Sequence, residues 1–162
     1  MSSPSNVDAQ LFKDCLSTWT SGVTVVTASG PRMIVGITAS AFSSLSVDPP
    51  LVLVCIGRSS GSHDDLVGAD GFAVHILSRD QEELSNRFAT AGVDKFDGVD
   101  FGLGPFDTPL LELGAARLVC ERHAMLGGGD HTILVGRVIE AELGGGEPLL
   151  YHSRSYGSFT AG

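Results

Sequence analysis

Positive charge is scarce in this chain of 162 residues: ten Lys and Arg stand against nineteen Asp and Glu, a net charge of −9. A polyanion needs a basic surface, so a nucleic-acid partner is excluded. An anionic small molecule is not, because amides and one or two cations hold a phosphate locally whatever the global field. No apolar run is long enough to cross a bilayer, and the opening MSSPSNVDAQ has neither a basic start nor an apolar segment. Neither a membrane span nor a signal peptide is therefore expected. Cysteine is sparse as well. Cys15, Cys55 and Cys120 are odd in number, widely spaced and free of any CxxC. That pattern excludes a disulfide frame and a zinc site, and suits a reducing, cytoplasmic setting. GxGxxG and GxxxxGK[ST] are both missing, so any nucleotide is bound some other way.

With 43% hydrophobic and 18% charged residues, what remains describes an ordinary folded protein, read here as one domain over 1–162. Val7, Leu11, Cys15 and Trp19 recur at helical spacing and predict an amphipathic helix over 7–19. The period then changes. Residues 22–28, 33–38, 51–57 and 72–77 are short, β-branched and bounded by Gly, Pro or Ser, as strands are. Further strands are expected over 115–123, 132–143 and 148–152, and short helices over 64–67 and 80–89, the latter capped by Asp80 with Glu83. Residues 92–110 read as a long irregular loop. Many strands with few helices predict a mainly β fold with flanking helices, a closed or nearly closed antiparallel barrel rather than a parallel βαβ sheet.

Four stretches carry chemistry-bearing residues. GITASAFSSLSVDPP (36–50) is a run of small and hydroxyl residues with no acidic side chain before Asp48. Read as a connection between strands, it can approach a flat polar ligand closely and donate from main chain and hydroxyl. RSSGSH (58–63) offers three serines, a glycine and two potential cations, a composition that cradles phosphate or forms a surface turn. GGGDH (127–131) is either a hairpin turn with a solvated His131 or a flexible backbone delivering an imidazole to a ligand. YHSRSY (151–156) places Arg154 to meet an anion and Tyr156 to stack on a ring, unless it is a solvated edge. A metal set of Asp130, His131 and His152 matches no familiar ligand spacing, and no metal is expected.

Taken in order, SGVTVVTA, GITASAFSSLSVDPPLVLVCIG, FAVHILS, NRFA, KFDGV, GGDHTILVGRV and PLLYHSRSYG resemble the short-chain NAD(P)H:flavin oxidoreductase family, over about residues 12–159. That resemblance implies a Greek-key split β-barrel and a homodimer with FMN or FAD at its interface. It also implies reduction by NADH or NADPH and delivery of reduced flavin to a flavin-dependent monooxygenase. It places Thr38, Ala39, Ser40, Ser43, Ser44, Leu45 and Ser46 toward the isoalloxazine and ribityl chain, with Cys55 and Gly57 also in the cofactor set. Ser59, Ser60 and Ser62 would reach the phosphate end, closed by Lys95 and Phe96. His131, the one residue given a catalytic role, would lie near the nicotinamide, with Arg154 and Tyr156 holding the dinucleotide. Hydride transfer between flat rings needs stacking and exclusion of water more than an acid–base residue. The sequence shows neither a triad nor a carboxylate pair, in keeping with this. Two other readings are a flavin carrier or sensor without turnover, and a flavoenzyme resembling the pyridoxamine-phosphate oxidases.

Overall fold

The computed structural model describes residues 6–162; the first five residues of the opening segment lie outside it. Helix α1 (Ala9–Ser17) starts at Asp8, whose carboxylate accepts from the Leu11 amide at 2.9 Å. Strands follow at β1 (Ser21–Gly22), β2 (Thr24–Ser29), β3 (Ile34–Ala39), β4 (Phe42–Ser46) and β5 (Leu51–Gly57). Helix α2 (His63–Gly68), β6 (Gly71–Ile76), a 3₁₀ turn (Arg79–Gln81) and α3 (Glu82–Ala89) come next. The chain ends with β7 (Phe101–Leu103), β8 (Pro109–Leu111), β9 (Ala116–Gly128), β10 (His131–Leu143), β11 (Leu149–His152) and β12 (Ser155–Ser158). Among the described residues no helix is long and apolar enough to cross a membrane.

Seven strands form one antiparallel sheet in the order β3-β2-β6-β9-β10-β5-β4. Its edges, β3 and β4, are consecutive in the chain and separated only by Ser40 and Ala41. The strip therefore curls round until its two edges meet at one end, and it stays open between them. This is a split barrel rather than a closed one.

β5 shows how alternation sorts the side chains. Val52, Val54 and Ile56 are buried in the barrel core with Val26, Phe72 and Leu134, while Leu53, Cys55 and Gly57 face outward. β2 is buried along almost its whole length, and its hydroxyls find internal acceptors. Thr24 donates to the Ala39 carbonyl and Thr27 to the Pro109 carbonyl, both at 2.6 Å. A second core of Val23, Val25, Leu77, Phe88, Leu111 and Leu149 lies under α3. There the ring of Phe88 fills the space above Gly36, where a Cβ would come within 2.5 Å of it. Any larger residue at 36 pushes α3 off β3.

Three expectations change. Residues 36–50 are not a free connection: β3 runs to Ala39 and β4 takes Phe42–Ser46, because pairing with β5 offers the serine backbone a ladder. The start of the 80–89 helix is fixed two residues earlier, by Ser78, whose amide donates to Gln81 Oε1 at 3.0 Å. Residues 92–110 are not wholly irregular, since β7 begins a small hairpin completed by β8.

Candidate functional site

A cleft of about 580 Å³ lies against the β3 edge of the sheet. One wall is β3 and the turn after it, Ile37 to Ala41; facing it are Cys55 and Gly57 on the outer side of β5. The serine loop of Ser59, Ser60 and Ser62 forms one end, the C-terminus of α3 with Ala91–Val93 and Lys95 another, and His131 stands on the rim. Ten of the residues expected from sequence thus share one cavity: Thr38, Ala39, Ser40, Cys55, Gly57, Ser59, Ser60, Ser62, Lys95 and His131.

The strand ladder decides which groups point inward. Gly30 donates to the Met33 carbonyl, which sets the β2–β3 register as Val26 opposite Ile37 and Val25 opposite Thr38. In an antiparallel pair hydrogen-bonded positions alternate, so Gly36 and Thr38 turn their backbone groups away from β2. The Gly36 carbonyl agrees with this parity, since it accepts from Lys95 Nζ at 3.0 Å. The Thr38 amide faces the same way. Its hydroxyl does not, because it donates to the Ser85 carbonyl at 2.6 Å.

Lys95 is half-buried, and besides Gly36 it donates to the Phe88 carbonyl at 2.8 Å. Desolvation lowers the pKa of this ammonium. An ammonium has three N–H donors, so one remains for the cleft. His131 follows the two-residue turn Gly129–Asp130, in which Gly129 takes φ +67°. Its Nδ1 lies 2.7 Å from Asp130 Oδ1, and the imidazole beside it lowers the Asp130 pKa. Nδ1 is thereby fixed toward the turn and Nε2 turned toward Gly57.

The remaining expected residues lie elsewhere. Ser43 and Arg154 line an adjoining pocket of about 520 Å³ that shares Ser40 and Cys55 with the cleft. Ser44, Leu45 and Ser46 continue along the outer strand β4, with a bulge at Leu45. Phe96 sits behind Lys95, edge-on to Phe88 at 5.2 Å between centroids. Tyr156 packs on the second core, its phenol 2.7 Å from the Ser85 hydroxyl and donating to Asn86 Oδ1 at 3.0 Å. Arg154 donates to Asp14 Oδ1 at 3.1 Å. Of the two cations in RSSGSH, Arg58 reaches toward Gly127, and His63 pairs with Asp64 Oδ1 and, at 2.8 Å, Thr132 Oγ1. His152 hydrogen-bonds Thr20 at 2.8 Å, and no group of three metal-ligating side chains occurs among the described residues.

Sequence reasoning missed the wall from Phe88 to Val93. Its only signal was the run of small residues Ala89, Ala91 and Gly92 after a helix. It also missed the His63–Thr132 contact, which ties the serine loop to the strand carrying His131.

Known proteins share this sequence pattern and fold. The chain is 40% identical over 157 residues to an FMN reductase (NADH) from Agrobacterium fabrum, covering 97% of this chain and 90% of that protein. It is 39% identical over 153 residues to the reductase component of a 4-nitrophenol 4-monooxygenase/4-nitrocatechol 2-monooxygenase from Rhodococcus opacus, covering 94% and 82%. Its fold superposes with a TM-score of 0.88 and 37% identity on the NADH:FAD oxidoreductase of Streptomyces globisporus, solved with NAD and FAD fragments, covering 96% and 97% of the two chains. The model of the flavin reductase like domain matches residues 16–160, nearly the whole described fold, and the chain belongs to that family.

Proposed function

We propose that this protein transfers a hydride from NADH or NADPH to FMN or FAD and passes the reduced flavin to a partner monooxygenase. The observation that carries this reading is the cleft at the split of the barrel. Its wall is an edge strand with outward amides, most of its lining residues from Thr38 to Ser62 are small, and a single ammonium stands at one end. A flat ring fits against such a wall, because no bulky side chain separates it from the backbone. When bound, the flavin supplies the redox chemistry and the nicotinamide the hydride.

The chain's own residues bind and orient. The Thr38 amide on the β3 edge donates toward the polar side of the ring, where negative charge grows on reduction. Ser59, Ser60 and Ser62, with the free N–H of Lys95, hold the phosphate end. His131, steered by Asp130, positions the nicotinamide from the rim. Leu53 and Phe42, continuous with the cleft through Cys55, keep water from the stacking face.

The relatives' activities support this reading, including NADH as the donor in the Agrobacterium and Streptomyces proteins. A homodimer and a cytoplasmic setting are part of the proposal. The apolar side of α1, with Leu11, Phe12 and Leu16 each more than half exposed, and Trp19 at 78% exposure, gives a second copy a surface to cover. Steady-state assays crossing FMN and FAD with NADH and NADPH test the function. Flavin-dependent NADH oxidation is expected; tight flavin binding with no turnover would make the protein a carrier instead.

A further inference from the structure

The serine loop, residues 58–62, bridges the end of β5 and the start of α2. Ser62 stands at the N-cap of α2, where a serine ordinarily turns its hydroxyl onto its own helix, yet it makes no side-chain cap bond. Its hydroxyl is left for the cleft, which Ser59, Ser60 and Ser62 all line. Among the described residues, two hydrogen bonds beyond the β5–β10 ladder tie this loop and the first residue of α2 to the β9–β10 hairpin. The Arg58 amide donates to the Asp130 carbonyl at 2.9 Å, and His63 Nε2 lies 2.8 Å from Thr132 Oγ1. Neighbours on a strand face opposite ways, so His131 meets Gly57 on the cleft side while Thr132 meets α2 behind it. His63, its side chain 14% exposed, does not line the cleft. Its ring is steered by Asp64, whose Oδ1 accepts from Nδ1 at 2.9 Å, so that Nε2 of the neutral ring accepts from the Thr132 hydroxyl.

We propose that His63 is a positioning residue for the flavin phosphate: through Thr132 it holds the serine loop so that the hydroxyls of Ser59, Ser60 and Ser62 stay turned to the cleft. The inference rests on the cleft and phosphate reading proposed above, and adds a group that touches neither flavin nor nicotinamide. The helix itself does not need His63. Leu66 is buried in the barrel core, and the buried Asp65 accepts from the amide, Nε and Nη2 of Arg32. What His63 sets is the segment between the helix and β5. Without its bond to Thr132 that segment crosses to the hairpin only through the Arg58 amide. Gly61, with open space around its Cα, then gives the loop freedom to move, and Ser62 can turn back onto α2 as a cap. A loop that must be ordered around its ligand binds more weakly than one already in place. The flavin ring lies against β3, away from this loop, so the loss falls on the phosphate and not on the ring.

The test is calorimetric titration of the full chain with FMN and riboflavin, which differ only in the phosphate. The proteins are the wild type, His63→Ala, His63→Gln, Thr132→Val and the double variant of His63→Ala with Thr132→Val. Each of His63→Ala and Thr132→Val is expected to raise the FMN Kd about fivefold to tenfold, with the riboflavin Kd unchanged. The double variant is expected to match the single ones, because either change breaks the same bond. His63→Gln, whose amide can meet the same hydroxyl, is expected to recover most of the FMN affinity. Thr132→Val keeps the side-chain shape on a strand that favours it, and carries the test should His63→Ala fail to fold. An unchanged FMN-to-riboflavin ratio in the variants, with only Tm lowered, would overturn the proposal and leave His63 as a contact of the fold. So would additive losses in the double variant, or no recovery in His63→Gln. Riboflavin binding as tightly as FMN to the wild type is a different result. It would take the phosphate off the serine loop, removing that part of the cleft reading and this assignment with it.

Discussion

The cleft wall and the C-terminal hairpin are built from the same kinds of residue and do opposite things. In the hairpin β11–β12 nearly every polar end closes on the chain itself: Tyr156 on Ser85 and Asn86, Arg154 on Asp14, His152 on Thr20, and the Ser153 amide on the Ser17 carbonyl. These contacts fasten α1 and α3 to the sheet. In the cleft, among the described residues, only Thr38 and Ser60 of the wall hydroxyls are engaged within the chain. The edge amides of β3 and one N–H of Lys95 stay open. What separates a site from a fastening is therefore not residue type but whether each donor already has a partner.

The satisfied extreme is His75, buried, with Nδ1 3.0 Å from the Val25 carbonyl oxygen and Nε2 accepting from the Leu111 amide. Nδ1 therefore carries the proton of a neutral ring. Burial pushes its pKa down from 6.5 to about 4. Between these values the unfolded chain binds the proton and the folded chain does not. Stability thus rises with pH across the window and falls as pH drops through it, by at most about 3 kcal/mol between 6.5 and 4. Denaturation curves over that range check it, and a flat profile contradicts the buried neutral ring.

Lys95 belongs to both classes, so Lys95→Met tests the boundary between them. Flavin Kd is expected to rise on the order of tenfold to a hundredfold, with the hydride-transfer rate at saturation nearly unchanged, because a phosphate contact acts alike on ground and transition states. Stopped-flow reduction over a flavin series separates the two effects. A lower Tm in the same variant would report the lost ties to Gly36 and Phe88.

Tyr156→Phe removes the phenol from Ser85 and Asn86 and is expected to lower stability by about 1 kcal/mol with flavin affinity unchanged. A weakened flavin or NADH interaction at full stability would move Tyr156 into the site. His131→Ala is the counterpart on the rim. KM for NADH should rise about fivefold, the loss of one ordinary hydrogen bond, with little change in Tm or flavin Kd.

Much of this was legible in the chain. β5 declares itself through LVLVCIG bounded by Pro50 and the serine loop, and its alternation predicts which residues face outward. The long β9–β10 hairpin was only half visible: the strand expected to end at His123 runs on to Gly128, because pairing with β10 overrides the weak strand preference of Gly127 and Gly128. β12 was invisible for a similar reason. Ser155–Ser158 has no apolar alternation, and a turn with Ser153 and Arg154 at φ +47° and +63° folds it back on β11. Composition singled out the serine loop and the His131 turn, and both line the cleft. It did not reveal that the hydroxyl of Thr38 and the phenol of Tyr156 both bond to α3 at Ser85, since those bonds join residues far apart in sequence.

Gly57 gives the most direct test of the proposal that flavin occupies the cleft between β3 and β5. A Cβ there meets nothing closer than His131 Nε2 at 3.7 Å, so a side chain can be added without backbone clash, and a leucine is expected to extend into the cleft beside His131. Flavin titration of wild type and Gly57→Leu, each followed by NADH addition without oxygen, is the measurement. An unchanged Tm with flavin binding and reduction both lost in the variant is the expected result. Undiminished binding and reduction in Gly57→Leu would show that the flavin lies elsewhere.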